Sequence, residues 1–403
     1  MVELLSITMV LILGCFAGII TGLLPGIHTN TVAALVLASL SVLLHYFSPL
    51  SLGIFLTSMV VVHSFVDFIP TIFLGAPEAE TALGVLPGHK MLLEGQGYKA
   101  LKLTVMGGLG SFAMGLFLQP MFMFAVKNGY YLLEKIILPL LILTSAYFIL
   151  TEKSFSNKSW ALLIFLLSGV LGIVCLESLP LKEPLFPLLS GLFGISTLIV
   201  SMSANSKIPE QIIDEDVKIL DWKNFINYIK SILSSSIMSV LPALGSAQAT
   251  ILAQSFTKEK DHESFLVIVG GINTASALFV LTTLFAIDRA RTGVIAVMKN
   301  VLTLDLQSYL YLVIVSIIAA VIGAILTLQL GKFLANKISK INYRKTSIII
   351  IVFIAILVFI ISGFMGLLVL SVSTAIGLLA PLSGARRIHA MGVLVITIIL
   401  YFI

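Results

Sequence analysis

The chain has 403 residues, of which 59% are hydrophobic and only 11% are charged. Soluble domains carry roughly 25% charged residues, so this composition excludes a soluble fold. The formal charge of +5 comes from basic residues in short loops between apolar runs. Because these residues form no extended stripe, we exclude nucleic acid as a partner and interpret them as membrane-topology signals.

Apolar stretches of about 20 residues, the length that crosses a hydrocarbon core of ~30 Å, recur along the whole chain. They predict an all-α fold, a polytopic transmembrane helix bundle that crosses the cytoplasmic (cell) membrane many times within the lipid bilayer. The predicted spans are residues 4–24, 31–47, 51–75, 100–126, 130–151, 159–176, 184–203, 224–241, 246–256, 264–287, 307–330, 346–363, 365–381 and 388–403.

Two segments are too polar to cross the membrane alone and too apolar for ordinary loops. They are residues 76–97, which are rich in Gly and Pro, and residues 289–304. We predict that each forms a re-entrant helical hairpin, which is tolerated at membrane depth only where protein surrounds it.

Two of the apolar runs are broken by a leucine-proline step followed by small residues, at Pro25 and at Pro242. Such a break survives in a bilayer only where the freed backbone groups face protein, water or a ligand. The restarting helix offers unpaired amides and a positive dipole end, which suit an anion. The alternative is a proline kink capped by its own hydroxyl side chains. The substrate-binding residues predicted from the breaks are Pro25, Gly26, His28, Thr29, Asn30, Thr31, Pro242, Gly245, Ser246 and Gln248.

The order of these elements repeats along the chain at offsets of roughly 209–217 residues, as in repeat-built secondary transporters. We predict a first transmembrane repeat over residues 1–203, a polar linker over 204–223 and a second transmembrane repeat over 224–403. An odd number of predicted spans, about seven, precedes the second copy, so the two repeats should have inverted topology.

Asp67 is the deepest acidic residue of the chain and lies one helical turn after His63. A charge near the bilayer centre costs a few kcal/mol, so such a residue usually faces a cavity, a partner or a proton path. We predict that Asp67 and His63 couple transport to H+ or Na+, together with Glu78 and Glu80 at the start of the first hairpin. The alternative is a structural acid that is hydrogen-bonded to a neighbouring broken helix.

Arg289 and Arg291 stand at the corresponding place in the second hairpin. Guanidinium groups there can hold a carboxylate or a phosphate in a bidentate fork. They can equally anchor the rim of the protein, or pair with Asp288 or with the glutamates of the other half.

The sequence contains no P-loop, no Cys/His cluster, no HExxH and no GxSxG elbow. These absences argue against an ATP-driven pump and against a zinc enzyme. We therefore predict no enzymatic activity, no metal site and no cofactor other than the coupling cation. A membrane-embedded enzyme would need His28, His63 and Asp67 to converge within hydrogen-bond reach.

Four segments carry a family resemblance: GIITGLLPG at 18–26, GAPEAETA at 75–82, LPGHKM at 86–91 and GQGYKAL at 95–101. They resemble the large membrane subunit of tripartite tricarboxylate transporters, the TctA family. The resemblance implies a permease for citrate-like or other organic anions, driven by a cation gradient. It also implies two partners, an extracytoplasmic binding protein and a small membrane subunit. The chain departs from the family at Glu78 and Glu80, whose charges repel a tricarboxylate unless they are neutralised.

We therefore expect a secondary active transporter, a permease that moves a small organic anion by symport with H+ or Na+. The alternative is a lipid-phosphate translocase, in which the same helix restarts and the arginines of the second hairpin hold a polyprenyl-phosphate head group. A groove open to lipid would favour the translocase over the anion carrier.

Overall fold

The structure is a computed structural model that describes residues 2–24, 28–76, 81–181, 183–203, 208–213, 217, 221–240, 249–250, 253, 261–339 and 343–402. Its helices of four or more residues are α1 (Val2–Leu23), α2 (Thr29–Ala38), α3 (Leu40–Leu43), α4 (Pro49–Val66), α5 (Val85–Leu93), α6 (Gly97–Leu150), α7 (Phe155–Ile173), α8 (Leu185–Leu189), α9 (Ser196–Ser203), α10 (Trp222–Val240), α11 (His262–Ile287), α12 (Gly293–Val301), α13 (Leu306–Ile338), α14 (Tyr343–Ser383) and α15 (Gly392–Phe402). Segments of 3-10 or π-helix, which are separate from these α-helices, lie at Pro70–Leu74, Ala82–Gly84, Val174–Ser178, Ser190–Ile195 and Arg387–Met391. Throughout these ranges the chain forms no strand, which confirms the predicted all-α fold.

Six helices in the described part of the chain are long and apolar enough to cross a membrane. These candidate spans are Pro49–Leu74, Gly97–Tyr130, Phe155–Ser178, His262–Ile287, Leu306–Ile338 and Ser347–Ser383. The last of them, within α14, consists of two helices that meet at a kink at Gly363, whose φ of 63° and ψ of −158° are not helical. The first and fourth of them, α4 and α11, are almost wholly enclosed by protein, whereas α7 and α14 turn large apolar side chains outward. This pattern of central and lipid-facing helices confirms a polytopic helix bundle.

The two spans predicted over 100–126 and 130–151 are wrong as separate helices. The structure has one continuous helix, α6, of 54 residues. The predicted spans are separated by the polar triplet Lys-Asn-Gly at 127–129. None of these residues is proline, so each has a backbone N–H that can donate a helical hydrogen bond. A glycine in a helix costs only about 1 kcal/mol, so the polar triplet does not end α6.

The span predicted over 31–47 is also wrong, because α2 has ten residues and is followed by the single turn α3. At 1.5 Å per residue α2 is about 15 Å long, half of a hydrocarbon core. The second predicted hairpin is a single nine-residue helix, α12. These differences change the span count from which inverted topology was predicted, so the inverted repeat and its residue ranges stay predictions.

The central helices α6 and α11 cross with their backbones in contact at a pair of glycines. A Cβ atom on Gly107 would lie 1.9 Å from the carbonyl oxygen of Val267, and one on Gly270 would lie 2.2 Å from that of Thr104. Small residues permit this approach, and any side chain would force the helices apart. The crossing brings α11 between α4, α6 and α10 at the centre of the bundle.

Glu152, on the turn after α6, attaches the C-terminal segment to that helix. Its Oε1 accepts hydrogen bonds from Nε of Arg386 at 2.8 Å and from Nε2 of His389 at 2.8 Å. Arg386 also donates to the carbonyl of Phe148 at 2.6 Å. Burial alone would raise the pKa of Glu152, but the hydrogen bonds from Arg386 and His389 outweigh it and lower this pKa to about 2.

Gly107→Ala should destabilise the protein by about 1–3 kcal/mol, because the added methyl group overpacks a backbone contact. Thermal unfolding of the detergent-solubilised protein, followed by circular dichroism, measures the change. Gly129→Ala is the matched control in the same helix, because no atom lies within 4 Å of its Cβ position. Equal melting temperatures for the two variants would contradict the observed crossing.

Glu152→Gln should lower the melting temperature at neutral pH, because Arg386 loses its charged partner. The folded-state pKa of Glu152 lies below its ordinary value, so its stabilising contribution is complete above about pH 4.5 and is lost as the pH falls toward about 2. The difference in Tm between wild type and variant should shrink over that window. Glu94→Gln is the control, because its exposed pair with Lys90 contributes little. A difference that does not depend on pH would contradict this assignment.

Candidate functional site

Asp67 lies where the regular part of α4 passes into a π-helical turn, and its side chain is buried with 1% exposure. Nδ2 of Asn273, on α11, donates to Oδ2 of Asp67 at 2.9 Å and to the carbonyl of Ser64 at 3.1 Å. A single side chain from the second half of the chain therefore binds both the carboxylate and the backbone of α4.

His63 approaches Asp67 from the preceding turn, as the sequence spacing predicted. Its Nε2 is 3.9 Å from Oδ2 of Asp67, which is longer than a hydrogen bond. Its Nδ1 is 3.0 Å from Oγ1 of Thr21 on α1. Oγ1 of Thr21 also donates to the carbonyl of Gly18 at 3.2 Å. The tautomer of His63 determines which atom donates in its contact with Thr21. Nε2 of His63 faces the carboxylate of Asp67.

The first helix break lies against this pair. The ring centroids of His28 and His63 are 5.7 Å apart, and the rings are tilted by 59°. Nδ1 of His28 accepts a hydrogen bond from the backbone N–H of Asn30 at 3.1 Å and so caps the start of α2. Neither the ring contact nor the 3.9 Å contact of His63 with Asp67 is a hydrogen bond. The relay required by the enzyme alternative is therefore not formed by these contacts.

Asn30 connects the first break to the second half of the chain. Its Oδ1 accepts a hydrogen bond from the backbone N–H of Val294 at 3.1 Å, at the start of α12. A Cβ atom on Gly293 would lie 2.6 Å from this oxygen, so a larger residue there would displace the Asn30 amide. Thr292 caps the same helix by accepting from the backbone N–H of Ile295 at 3.3 Å. Asn30 thus helps to cap α12.

The two threonines predicted beside Asn30 also contact protein atoms. Thr29 is buried, and its Oγ1 is 3.4 Å from Nδ1 of His28. Thr31 donates to Oε1 of Glu183 at 3.4 Å. In this structure, therefore, the polar side chains after the first break contact other atoms of the protein.

The two arginines of the second predicted hairpin take different positions. Nη2 of Arg291 donates to Oη of Tyr130 at 2.8 Å, and its guanidinium carbon is 5.4 Å from the centroid of that ring. Arg289 is exposed. Asp288, one of their predicted partners, instead pairs with Lys299 at 2.7 Å. No hydrogen bond or ion pair among the described residues joins either arginine to the first break.

The remaining predicted site residues lie outside the described residues, and their roles stay predictions. They are Pro25, Gly26, Glu78, Glu80, Pro242, Gly245, Ser246 and Gln248. Where the structure does describe the chain, no three His, Cys, Asp or Glu side chains lie together in a group that can hold a metal ion.

Sequence reasoning missed the residues that position the pair, Thr21 and Asn273. Asn273 carried a usable signal, because an amide side chain inside an apolar run is expected to bond across to another helix. Thr21 carried none, because threonine can satisfy its hydroxyl on the preceding turn of its own helix. The partners of Asp67 thus became visible only once the helices were packed together.

Comparison with known proteins gives two matches that cover nearly the whole chain. The profile of a family described as "Tripartite tricarboxylate transporter TctA family" matches residues 8–392. An uncharacterized protein of Methanocaldococcus jannaschii is 31% identical over 409 aligned residues, which cover 98% of each chain. No solved structure matches the chain. Both matches include the residues around Asp67 and the start of α12.

Asn30→Ala should lower the free energy of unfolding by about 1 kcal/mol, because α12 loses a hydrogen bond at its N-terminus. Urea or thermal unfolding of the solubilised protein measures the change. Asn300→Ala is the matched control near the other end of α12, because its exposed side chain bonds only to the carbonyl of Ala296. If the two variants lost equal stability, Asn30 would not be a cap between the halves.

Proposed function

Because the chain belongs to the TctA family of tripartite tricarboxylate transporters, we propose that it is the permease that carries a small organic anion across the cell membrane, coupled to a cation gradient. Its family is one of transporters, and its apolar helices make it a multi-pass protein of the cell membrane. The substrate is a carboxylate, tricarboxylate-like or smaller, and the coupling is symport. The proposed partners are an extracytoplasmic binding protein and a small membrane subunit.

The buried carboxylate of Asp67 is the observation that supports coupled transport. An acid inside a membrane helix is costly, and such residues commonly lie on ion or proton pathways. Asp67 lies on an enclosed helix of the first half and is bonded to Asn273 on an enclosed helix of the second half. A change in its charge therefore acts directly on a contact between the two halves.

The geometry around His63 favours H+ as the coupling ion. Nε2 of His63 and the carboxylate of Asp67 face each other across 3.9 Å. The pair can take up one proton, either on Nε2 to give an imidazolium beside a carboxylate, or on the carboxylate itself. A sodium ion would instead need several oxygen ligands around the same carboxylate.

Protonation has a structural consequence at the contact between the halves. A hydrogen bond from Asn273 to an ionised carboxylate is charge-assisted and is roughly twice as strong as one to a neutral acid. Neutral Asp67 therefore holds α11 less tightly than ionised Asp67 does. We propose that this difference biases the two arrangements between which the carrier alternates, as in repeat-built transporters.

Asp67→Asn should abolish gradient-driven uptake, because an amide keeps the shape of the side chain but cannot take up the coupling proton. The measurement is uptake of labelled citrate and succinate into proteoliposomes under an imposed pH or sodium gradient, with the proposed partner proteins supplied. Dissipating the gradient should stop uptake by the wild type.

Asp305→Asn is the matched control for this experiment. Asp305 is exposed and caps α13 by accepting from the backbone N–H of Ser308 at 2.8 Å, a role that asparagine performs equally well. Wild-type uptake by the Asp67→Asn variant would remove Asp67 from the coupling mechanism. Uptake that continues without any cation gradient would contradict symport.

A further inference from the structure

Arg387 begins the 3-10 turn that follows α14 and lies close to the first predicted hairpin. Its guanidinium is half-buried, and Nη1 donates a hydrogen bond to Oγ1 of Thr197 on α9. Its neighbour Arg386 is paired with Glu152, but no carboxylate of the described residues lies within ion-pair distance of Arg387. Arg387 is thus a partly buried cation that lacks an acidic partner in the described part of the protein.

Two further segments pack beside α9 close to Thr197, the partner of Arg387. Gly75, with φ of +64°, ends the π-helical turn after α4. A Cβ atom on Gly75 would lie 3.3 Å from Leu198 on α9 and 3.9 Å from Nδ1 of His89 on α5. The π-helical turn after α4, the hairpin helix α5 and α9 therefore pack together here, and the C-terminal 3-10 turn joins them through the bond from Arg387 to Thr197.

The positive charge near His89 and Thr197 comes from Arg387. His89 is buried with 2% exposure, and its Nδ1 contacts the carbonyl of Ile72 at 3.3 Å. Burial, and secondarily the nearby Arg387, lower the pKa of His89 to about 4, although the contact with Ile72 opposes the shift. His89 is therefore neutral at physiological pH, and Arg387 contributes the positive charge.

We propose that Arg387, supported by Thr197, binds a carboxylate of the transported anion beside the hairpin helix α5; this inference rests on the proposed transport function. A guanidinium has five N–H donors in a fork that matches a carboxylate, and Arg387 uses one of them on Thr197. Burying an arginine without a counter-charge is costly, and an anionic substrate supplies that charge. Thr197 orients the fork, because its own hydroxyl proton is donated to the carbonyl of Phe193.

The position also suits coupling to Asp67. Gly75 follows Asp67 by eight residues and ends the π-helical turn Pro70–Leu74, which lies between them. The proton-binding pair and the Gly75–His89 side of the proposed site are therefore connected by one short helical segment after α4. A shift of that segment on protonation of the pair reaches both places.

The test is ligand-dependent thermal stabilisation of the purified, detergent-solubilised full-length protein, titrated with citrate, succinate and inorganic phosphate. Citrate should stabilise the wild type, and Arg387→Gln should weaken its affinity about tenfold or more, as expected for the loss of a charge-assisted hydrogen bond. Arg387→Lys keeps the charge without the fork and should lie between the two. Arg344→Gln, which replaces an exposed arginine on α14, should bind as the wild type does.

The outcomes separate this site from the transport function. If citrate stabilises the wild type and both Arg387 variants equally, the anion site is wrong and transport stands. If only phosphate stabilises the wild type and Arg387→Gln abolishes the effect, the anion site stands and the organic-acid substrate is wrong. If no probe stabilises the wild type, the site is wrong, and proteoliposome uptake decides the function separately. If Arg387→Gln does not fold, the lysine variant gives the readout.

Discussion

The structure depends on the crossing of α6 and α11, where the two backbones are in contact and leave no room for a side chain. Gly107 and Gly270 each touch the backbone of the opposite helix, and a Cβ atom on Gly108 would lie 2.7 Å from both the ring of Phe65 and the hydroxyl of Thr274. Asn273 is one helical turn beyond Gly270, so the crossing fixes how far its amide reaches toward α4. The backbone contact between α6 and α11 thus places Asn273 for its 2.9 Å hydrogen bond to Asp67.

The outer helices use small residues in a related way. Gly14, Gly18 and Gly22 of α1 lie against α4, and a Cβ atom on any of them would meet α4 at 2.8 Å or less. Their counterparts at one constant offset are Ser231, Ser235 and Ser239 of α10, all buried. Ser231 donates to the carbonyl of Ile268 on α11 at 3.2 Å. This recurrence accords with the predicted repeat, while opposite orientation of the copies stays a prediction.

The sequence predicted what depends on local chemistry and missed what depends on packing. Hydropathy located the long apolar helices, and the four-residue spacing placed His63 beside Asp67, because both follow from the geometry of one helix. The separate spans predicted before and after residues 127–129 are one helix, because backbone hydrogen bonds continue through polar residues that interrupt a hydropathy pattern. Asn273 and Thr21 are distant from Asp67 and His63 in the sequence, and Thr197 is distant from Arg387. No local sequence pattern therefore reveals these contacts.

The length of α6 has a mechanical consequence. Between the crossing at Gly107 and the ion pair at Glu152 the chain rises by roughly 68 Å at 1.5 Å per residue, more than twice the thickness of a hydrocarbon core. Pro120 and Pro139 lie inside this stretch of α6, and each removes one backbone hydrogen bond from the helix. At the far end of this stretch Glu152 pairs with Arg386, the residue that precedes Arg387. One helix therefore links the central crossing to the C-terminal segment, and its two prolines are the positions along it where bending costs least.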